Sequence, residues 1–442
     1  MAAGFVIFMP NPGMAQAAPG DTVRLRLDQA VQMAARQGRM VEMARTGVQG
    51  AAARAEERKA AYLPDLRASV MRGARTMNTA TFGLDFPTAP GEEPLFNPNG
   101  EIVGPINNTD LRGSISQTLF DWSALESIHS ANSALEASRM RQEAAAQQAA
   151  AVAGAAYVQA LAAEARLEAQ ETDVKLAGEL VDIAREVLAS GVGVRLDLTR
   201  AEAQEAAMNA RLIAAQAGAE RARLGLLKAL NLPADTPLIL EDTLRAPQGG
   251  APREIEATRV AMEERQDVRA AGQDVVAAGL AAAAARHERL PTLKVGASDG
   301  WVGREASKIL NTYDWSFLVS IPVFDGFRTR ARIQEHDAEV QALELRREEL
   351  EEQVTFQVRH ALLDLKAADQ QVEAVSAQLQ LAELEYQQAR ERFQEGVAGA
   401  GDVITAALRL NEARTLHVDA LAASQGARVA LAAAQGRAIL LQ

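Results

Sequence analysis

The sequence of 442 residues predicts a mainly α-helical chain that carries two β-hairpins and is built as two similar halves. Three observations predict this fold class: proline-free helices with a heptad repeat, four stretches in which apolar and polar residues alternate, and motifs that occur once in each half. Hydrophobic residues make up 48% of the chain, but aromatic residues make up only 4%. Much of the hydrophobic content is alanine. Alanine favours helices that approach each other closely, which is typical of bundles and tubes.

The N-terminal residues resemble an export signal. Residues 2–9 form a short apolar run, prolines and glycine interrupt it at 10–13, and Ala15 and Ala17 match a small-residue cleavage site. We therefore expect a secretory signal peptide over residues 1–17; the alternative is a disordered tail. No apolar run in the sequence is long enough for a membrane-spanning helix, so a membrane crossing would require a closed β-barrel.

Several motifs occur twice, in the same order. Residues 62–66 (YLPDL) recur as 289–293 (RLPTL), and residues 117–121 (QTLFD) recur as 321–325 (IPVFD). Each half therefore reads as helix, strand, loop, strand, very long helix, short break and shorter helix.

The duplication sets the expected domain boundaries. We expect a first repeat over residues 22–231, a proline- and glycine-rich linker over 232–253, and a second repeat over 254–442. The break between the two helices of each repeat contains a glycine, Gly191 in the first and Gly396 in the second. We expect both glycines at helix C-termini with positive φ.

Four strands are predicted, at about residues 64–76, 109–120, 291–301 and 312–323. In the last of them, every second residue from Tyr313 to Val323 is apolar. Alternation of this kind means one buried face and one wet face.

Four strands are too few to seal a barrel within one chain. In a membrane barrel the apolar face meets lipid, and Trp301, Tyr313 and Trp315 would lie near the membrane interfaces. The alternative is a small soluble core that contains these three aromatic side chains.

The long helix of the second half has a sustained heptad seam. No proline occurs between Phe324 and Gly396, which allows a helix of about 105 Å. Its apolar residues recur at alternating steps of three and four, as in coiled coils. The seam contains Val354, Val358, Ala361, Leu365, Ala368, Val372, Val375, Leu379, Ala382, Tyr386, Ala389 and Phe393. The alternative, a soluble coiled-coil scaffold that binds proteins without channel activity, explains the helices but not the hairpins.

Composition and motifs argue against several classes of function. A formal net charge of −12 disfavours nucleic-acid binding, because phosphates would be repelled. Cysteine is absent, and the five histidines do not pair at a helical ligand spacing. We find no nucleophile elbow and no phosphate-binding glycine loop. The sequence thus predicts no enzyme activity, no metal site and no cofactor.

The repeated motifs, their order and the two glycine breaks resemble the TolC-like outer-membrane efflux protein family from about Thr22 to the C-terminus. The resemblance implies a homotrimer in which each subunit gives four strands to a twelve-stranded barrel, while the helices form a hollow tube across the periplasm. It implies a passive exit duct for tripartite efflux or type I secretion. The implied partners are a periplasmic adaptor, an inner-membrane transporter driven by protons or ATP, and outer-membrane lipid.

The resemblance also implies roles at the closed tip of the tube. Asp402 matches an acidic residue that narrows the tip in the family, and Asp197 is its counterpart in the first repeat. Three copies of Asp402 around an axis would favour cations; the alternative is that both aspartates are helix N-caps. Members of the family can hold the tip closed with a tyrosine and an arginine that bond to the neighbouring coil. Phe393 and Ala398 stand at these two positions and cannot form such bonds, so apolar packing of Leu188 and Phe393 would replace them.

Overall fold

In a computed structural model of the chain, the structure describes residues 23–82, 100–191, 193–246, 249–305, 307–395 and 397–441. The expected signal peptide, residues 1–17, and Gly396 lie outside these residues. The chain forms two compact units. The helical unit contains the residues up to Val48, Ala137–Ala271 and Arg346–Gln442, and the sheet unit contains Gln49–Glu136 and Gly272–Leu345.

The elements follow the predicted order of helix, hairpin and long helix in each half. The helices of the first half are α1 (Leu27–Gln37), α2 (Arg39–Lys59), α3 (Trp122–Ala189) and α4 (Arg195–Ala229). Those of the second half are α5 (Glu254–Glu264), α6 (Gln266–His287), α7 (Arg328–Gln394) and α8 (Ala400–Ala434). The strands are β1 (Val23–Leu25), β2 (Asp65–Asn78), β3 (Ile102–Phe120), β4 (Leu238–Leu240), β5 (Thr292–Gly303) and β6 (Ile309–Ser320). This combination of long helices and few strands confirms the predicted fold class.

The sheet unit is built on an antiparallel sheet in the order β2-β3-β5-β6. Strand β3 begins at Ile102, seven residues earlier than expected, and β6 ends at Ser320, just before Ile321 and Pro322. Proline cannot donate a ladder hydrogen bond, which explains the earlier end. Strands β2 and β6 lie at the two edges of this sheet.

The register gives the sheet two faces of opposite character. Leu111 is opposite Val70 on one side and Trp301 on the other, and Ala297 is opposite both Ile115 and Trp315. Directly opposite residues share a face. The apolar face contains Leu66, Ala68, Val70, Leu111, Ile115, Val295, Ala297, Trp301, Tyr313, Trp315, Phe317 and Val319. The polar face contains Arg67, Ser69, Asp110, Arg112, Ser114, Ser116, Lys294, Ser298, Thr312, Asp314 and Ser316. Exceptions include Met71, Val302, Leu310 and Leu318 on the polar face, and Asp299 and Asn311 on the apolar face.

The helical unit is held together by the heptad seam of α7. Val354 and Val358 are fully buried, and Leu365 and Phe393 are 1% and 4% exposed. The C-terminal part of this seam packs against α8 and α3, through side chains that include Leu180, Val403 and Leu410. The part from Val354 to Ala368 packs against α5 and α8. Because each seam residue buries apolar surface, this column provides much of the core of the unit.

Within the described residues, no helix combines the length and apolar content that crossing a lipid bilayer would require.

A buried charge connects α3 with α8. Asp173 is 1% exposed, and Arg414 donates a hydrogen bond of 2.9 Å from Nη1 to its Oδ1. The Asn411 amide, oriented with its nitrogen toward the carboxylate, donates to the same oxygen at 2.7 Å. Burial raises the pKa of Asp173, and the hydrogen bond and charge of Arg414 offset part of this effect. The cluster satisfies a carboxylate that would otherwise be costly to bury.

We expect Asp173→Ala to destabilise the helical unit by about 3 kcal/mol per subunit, because it leaves Arg414 and Asn411 without their acceptor. Thermal unfolding in detergent, followed by circular dichroism, measures the change. The double variant Asp173→Ala with Arg414→Ala should be no less stable than Asp173→Ala alone. Additive losses would show that the two side chains are not coupled.

The same carboxyl predicts a pH dependence. Because its folded pKa lies above the unfolded value, the folded chain binds more protons between these two values, and stability falls as the pH rises through that window. Asp173→Asn should remove this part of the slope of stability against pH. An unchanged slope would contradict the raised pKa.

Candidate functional site

The break between α3 and α4 is built around Gly191. Its φ is +81°, as expected for a glycine that ends a helix. The Gly191 N–H donates to the Leu188 carbonyl at 3.1 Å, and the Gly193 N–H donates to the Val187 carbonyl at 3.0 Å. These bonds satisfy carbonyl groups of the last turn of α3, so the chain can reverse and begin α4 at Arg195.

The break between α7 and α8 has a similar pattern of backbone bonds. The N–H groups of Val397 and Ala398 both donate to the Arg392 carbonyl, at 2.9 and 3.2 Å. Gly399 is the N-cap of α8, with an extended backbone. The short connection brings α7 and α8 together as an antiparallel pair.

The N-cap interpretation of Asp197 and Asp402 is wrong. Val194 and Gly399 are the N-caps, and each aspartate is the third residue of its helix, without a side-chain capping bond. A carboxylate in the first turn still interacts favourably with the helix dipole, which explains why acids occur here. Asp197 is half-buried and lies 3.8 Å from Arg200, whereas Asp402 is exposed.

Phe393 and Leu188 have different environments. Phe393 is buried in a cluster with Tyr386, Val403 and Leu410, at the start of the α7–α8 pair. Val187 packs against this cluster, and the adjacent Leu188 is half-buried. The apolar packing at this break therefore includes Val187, the neighbour of the residue chosen from the sequence.

Polar side chains beside this cluster were not found by sequence reasoning. Arg390 of α7 and Glu179 of α3 form an ion pair of 3.2 Å. The Tyr386 hydroxyl is buried and, among the described residues, has no hydrogen-bond partner; burial raises its pKa. Tyr386 occupies an apolar heptad position, so the pattern identified its burial but gave no information about its hydroxyl group.

The three predicted interface aromatics all lie on the apolar face of the sheet. Trp301 is 49% exposed, Tyr313 76% and Trp315 67%. Trp315 contacts Phe317 edge to face, with ring centroids 5.9 Å apart. Large apolar side chains with this exposure need a covering environment.

The polar face has a hydrogen-bonded network across three strands. Arg112 of β3 donates to Ser298 of β5 at 2.8 Å, and to Asp314 and Thr312 of β6 at 3.1 Å each. Asp110 lies 3.4 Å from the same guanidinium group. The network fixes the register of the strands and makes this face strongly hydrophilic. Alternation predicted which residues lie on this face, but not that Arg112 links them.

Neither the sheet nor the helix breaks hold a cluster with metal-binding chemistry. Among the described residues, no group of three or more His, Asp or Glu side chains could hold a metal ion. The arrangement offers an apolar face and a hydrophilic face of the sheet, and a pair of helix breaks.

Comparison with known proteins identifies the family. The model of the outer membrane efflux protein family matches residues 30–232 and 258–437. Protein CyaE of Bordetella pertussis is 30% identical over 288 residues, which is 64% of this chain and 60% of that protein. The chain thus spans about 60% of the length of this curated relative.

Several outer-membrane channels share the fold. The Campylobacter jejuni CmeC channel has a TM-score of 0.77 at 16% identity, covering 93% of this chain and 86% of that one. The outer membrane protein VceC of Vibrio cholerae has a TM-score of 0.75 at 18% identity, covering 93% and 96%. The open state of the Neisseria gonorrhoeae MtrE channel has a TM-score of 0.75 at 20% identity, covering 94% and 89%.

The family assignment confirms the expected location in the outer membrane, with an extension into the periplasm. Channels of the family are trimeric transport ducts that work with adaptors and inner-membrane transporters. The two matched segments, the long paired helices and the four-stranded sheet lead to one assignment: this chain belongs to the outer membrane efflux protein family.

Proposed function

We propose that three copies of this chain assemble into a passive exit duct of a tripartite efflux or type I secretion system, without enzymatic activity. The observation that carries this proposal is a second heptad seam on α7, separate from the buried one. It contains Phe356, His360, Leu363, Ala367, Gln370, Ala374, Ala377, Leu381 and Leu384. All nine side chains are exposed in the single chain.

The second seam is mostly apolar and has unusually large exposed side chains. Phe356, Leu363 and Leu381 are 61%, 65% and 68% exposed. Seven of the nine residues are alanine, leucine or phenylalanine, and the seam keeps the alternating steps of three and four that coiled coils require. Such a column on a water-exposed helix favours a further helix packed against it.

The angle between the two seams favours a ring of helices. At 3.5 residues per turn, the buried and exposed seams of α7 lie about 150° apart around the helix axis. A helix in a closed ring of twelve contacts its two neighbours at about this angle, whereas a simple two-helix coil uses one seam. Four long helices per chain, α3, α4, α7 and α8, give twelve in a trimer.

The complementary surface is on α4. Its exposed face contains small residues, namely Ala203, Ala206, Ala207, Ala210, Ala214 and Ala217, with Ile213 among them. The large side chains of the α7 seam can pack onto this alanine face of the next subunit. Because the two surfaces differ, the contact is head-to-tail, and a contact of this kind closes into a ring when the rotation between subunits is a whole fraction of a turn, as in a trimer.

The sheet supports the same assembly. Its edges, β2 and β6, offer unpaired backbone groups to neighbouring copies, and three sheets of four strands give a twelve-stranded barrel. The apolar face would meet lipid and the polar face, with Arg112, would line the water-filled lumen. Trp301, near the end of β5, would then lie in the aromatic belt, and Tyr313 and Trp315 would follow it along the apolar face toward the row of Ile115 near the middle of the strands.

The chain would act as a conduit and leave the energy supply to its partners. A periplasmic adaptor would join it to an inner-membrane transporter driven by protons or ATP, and neither a cofactor nor nucleic acid is needed. Three exposed Asp402 carboxylates around the axis would form an acidic ring that favours cations. Phe393 and its buried cluster would pack the closed tip.

We expect Leu381→Glu to dissociate the trimer, because it places a charge in the second seam and removes about 1.5–3 kcal/mol of apolar burial per copy. Light scattering coupled to size exclusion in detergent measures the subunit number. Gln380→Glu, an exposed neighbour outside the seam, is the matched control and should remain trimeric. If Leu381→Glu is as trimeric as the control, the second seam is not a subunit contact.

The two faces of the sheet predict opposite outcomes for adjacent residues. Ile115→Lys puts a charge on the apolar face near the middle of the strands and should cost about 2–4 kcal/mol per copy in lipid. Ser114→Lys, on the polar face, should assemble normally. The fraction of heat-sensitive trimer in outer-membrane extracts tests both, and equal effects would contradict the assignment of faces.

The duct and its acidic ring can be tested in planar bilayers. The wild-type protein should form channels that prefer cations, and Asp402→Ala should reduce this preference, as measured by the reversal potential in a salt gradient. Asp197→Ala should have a smaller effect, because Asp197 is half-buried beside Arg200. Absence of conductance would overturn the proposed duct activity. Unchanged ion selectivity in Asp402→Ala would overturn only the proposed acidic ring.

A further inference from the structure

A polar cavity in the sheet unit is not explained by the proposed duct. Its volume is about 550 Å³, and it is lined by α2, α3, α6 and α7. Arg54 and Arg58 lie on one side of it, and Ser123 and Ser127 on another. Much of the remaining lining is alanine, which leaves space without adding acidic groups. The volume falls in the range of small-molecule sites.

The donors of this cavity, which lie on two exposed arginines and two half-buried serines, have no protein partner among the described residues. Among the described residues, the Arg54 and Arg58 guanidinium groups form no ion pair, and the Ser123 and Ser127 hydroxyls form no hydrogen bond. Arg54 and Arg58 are one helical turn apart on α2. Two like charges at this spacing destabilise an isolated helix by a few tenths of a kcal/mol. An anion between them would remove that repulsion.

Other polar groups of the cavity already have partners. Arg332 donates to Glu288 of the same lining. His336 lies 3.2 Å from Glu339, and Ser130 donates to the Ala277 carbonyl at 2.8 Å. With one arginine neutralised by one glutamate, Arg54 and Arg58 leave the cavity positive, although the whole chain has a net charge of −12.

We propose that this cavity binds a phosphate-bearing anion, held by Arg54 and Arg58 and by the hydroxyls of Ser123 and Ser127. Arginine forks match the geometry of phosphate oxygens, and serine hydroxyls add neutral donors. The ligand is a phospholipid headgroup or a soluble phosphate. The cavity lies close in sequence to the sheet, since Arg58 precedes β2 by seven residues and Ser123 follows β3 by three. The proposal does not depend on duct activity.

The test uses the purified full-length protein in detergent with two probes. Inorganic phosphate is titrated by calorimetry at constant ionic strength, and retention of phosphatidylglycerol over phosphatidylcholine is measured by native mass spectrometry. The double variant Arg54→Gln with Arg58→Gln should bind whichever probe the wild type binds at least about tenfold more weakly. Ser127→Ala should weaken it less. Arg45→Gln, an exposed arginine of α2 outside the cavity, should bind like the wild type.

The outcomes distinguish a soluble phosphate from a phospholipid headgroup, and both from a failure of the proposal. Binding of phosphate alone identifies a soluble anion, and selective retention of phosphatidylglycerol alone identifies a headgroup; either supports the site. The proposal is overturned if the wild type binds neither probe, or if the double variant binds as tightly as Arg45→Gln. Unchanged circular dichroism and channel conductance in the double variant show that folding and the duct are intact.

Discussion

The buried heptad seam of α7 is the contact on which the rest of the helical unit depends. Val354, Val358 and Leu365 pack against α5 and α8, and Phe393 closes the same column at the break before α8. Because these side chains recur every three or four residues, one helix can hold several partners along its length. The exposed second seam of α7 is available for assembly only because the first seam already fixes the orientation of the helix.

The sheet follows a similar principle with a different period. Alternation places Ile115 and Trp315 on one face and Arg112 and Asp314 on the other, so a single chain leaves large apolar side chains exposed. Water does not stabilise such a surface, whereas lipid does. The exposed faces of α7 and of the sheet therefore have related explanations. Each is a surface of the single chain that the proposed assembly would cover, by a neighbouring subunit for α7 and by lipid for the sheet.

Polar groups inside the helical unit add specificity to this apolar framework. Asp173, Arg414 and Asn411 satisfy one another between α3 and α8, and a shifted pairing of these helices would leave the carboxylate buried without donors. Alanine-rich seams fit together in many registers because their side chains are alike. A buried charge with dedicated partners is one way to select a single register.

The sequence by itself determined the fold class, the helix order and the residues of the buried seam, because apolar periodicity is a local property of the chain. It also identified Gly191, since a helix that reverses direction needs a residue with positive φ. Only the tertiary structure decided that Val194 and Gly399, not the aspartates, are the N-caps, that Val187 packs beside Phe393, and that Arg54 and Arg58 share a cavity with serines of α3. These features depend on cap geometry and on residues far apart in sequence, which periodicity does not encode.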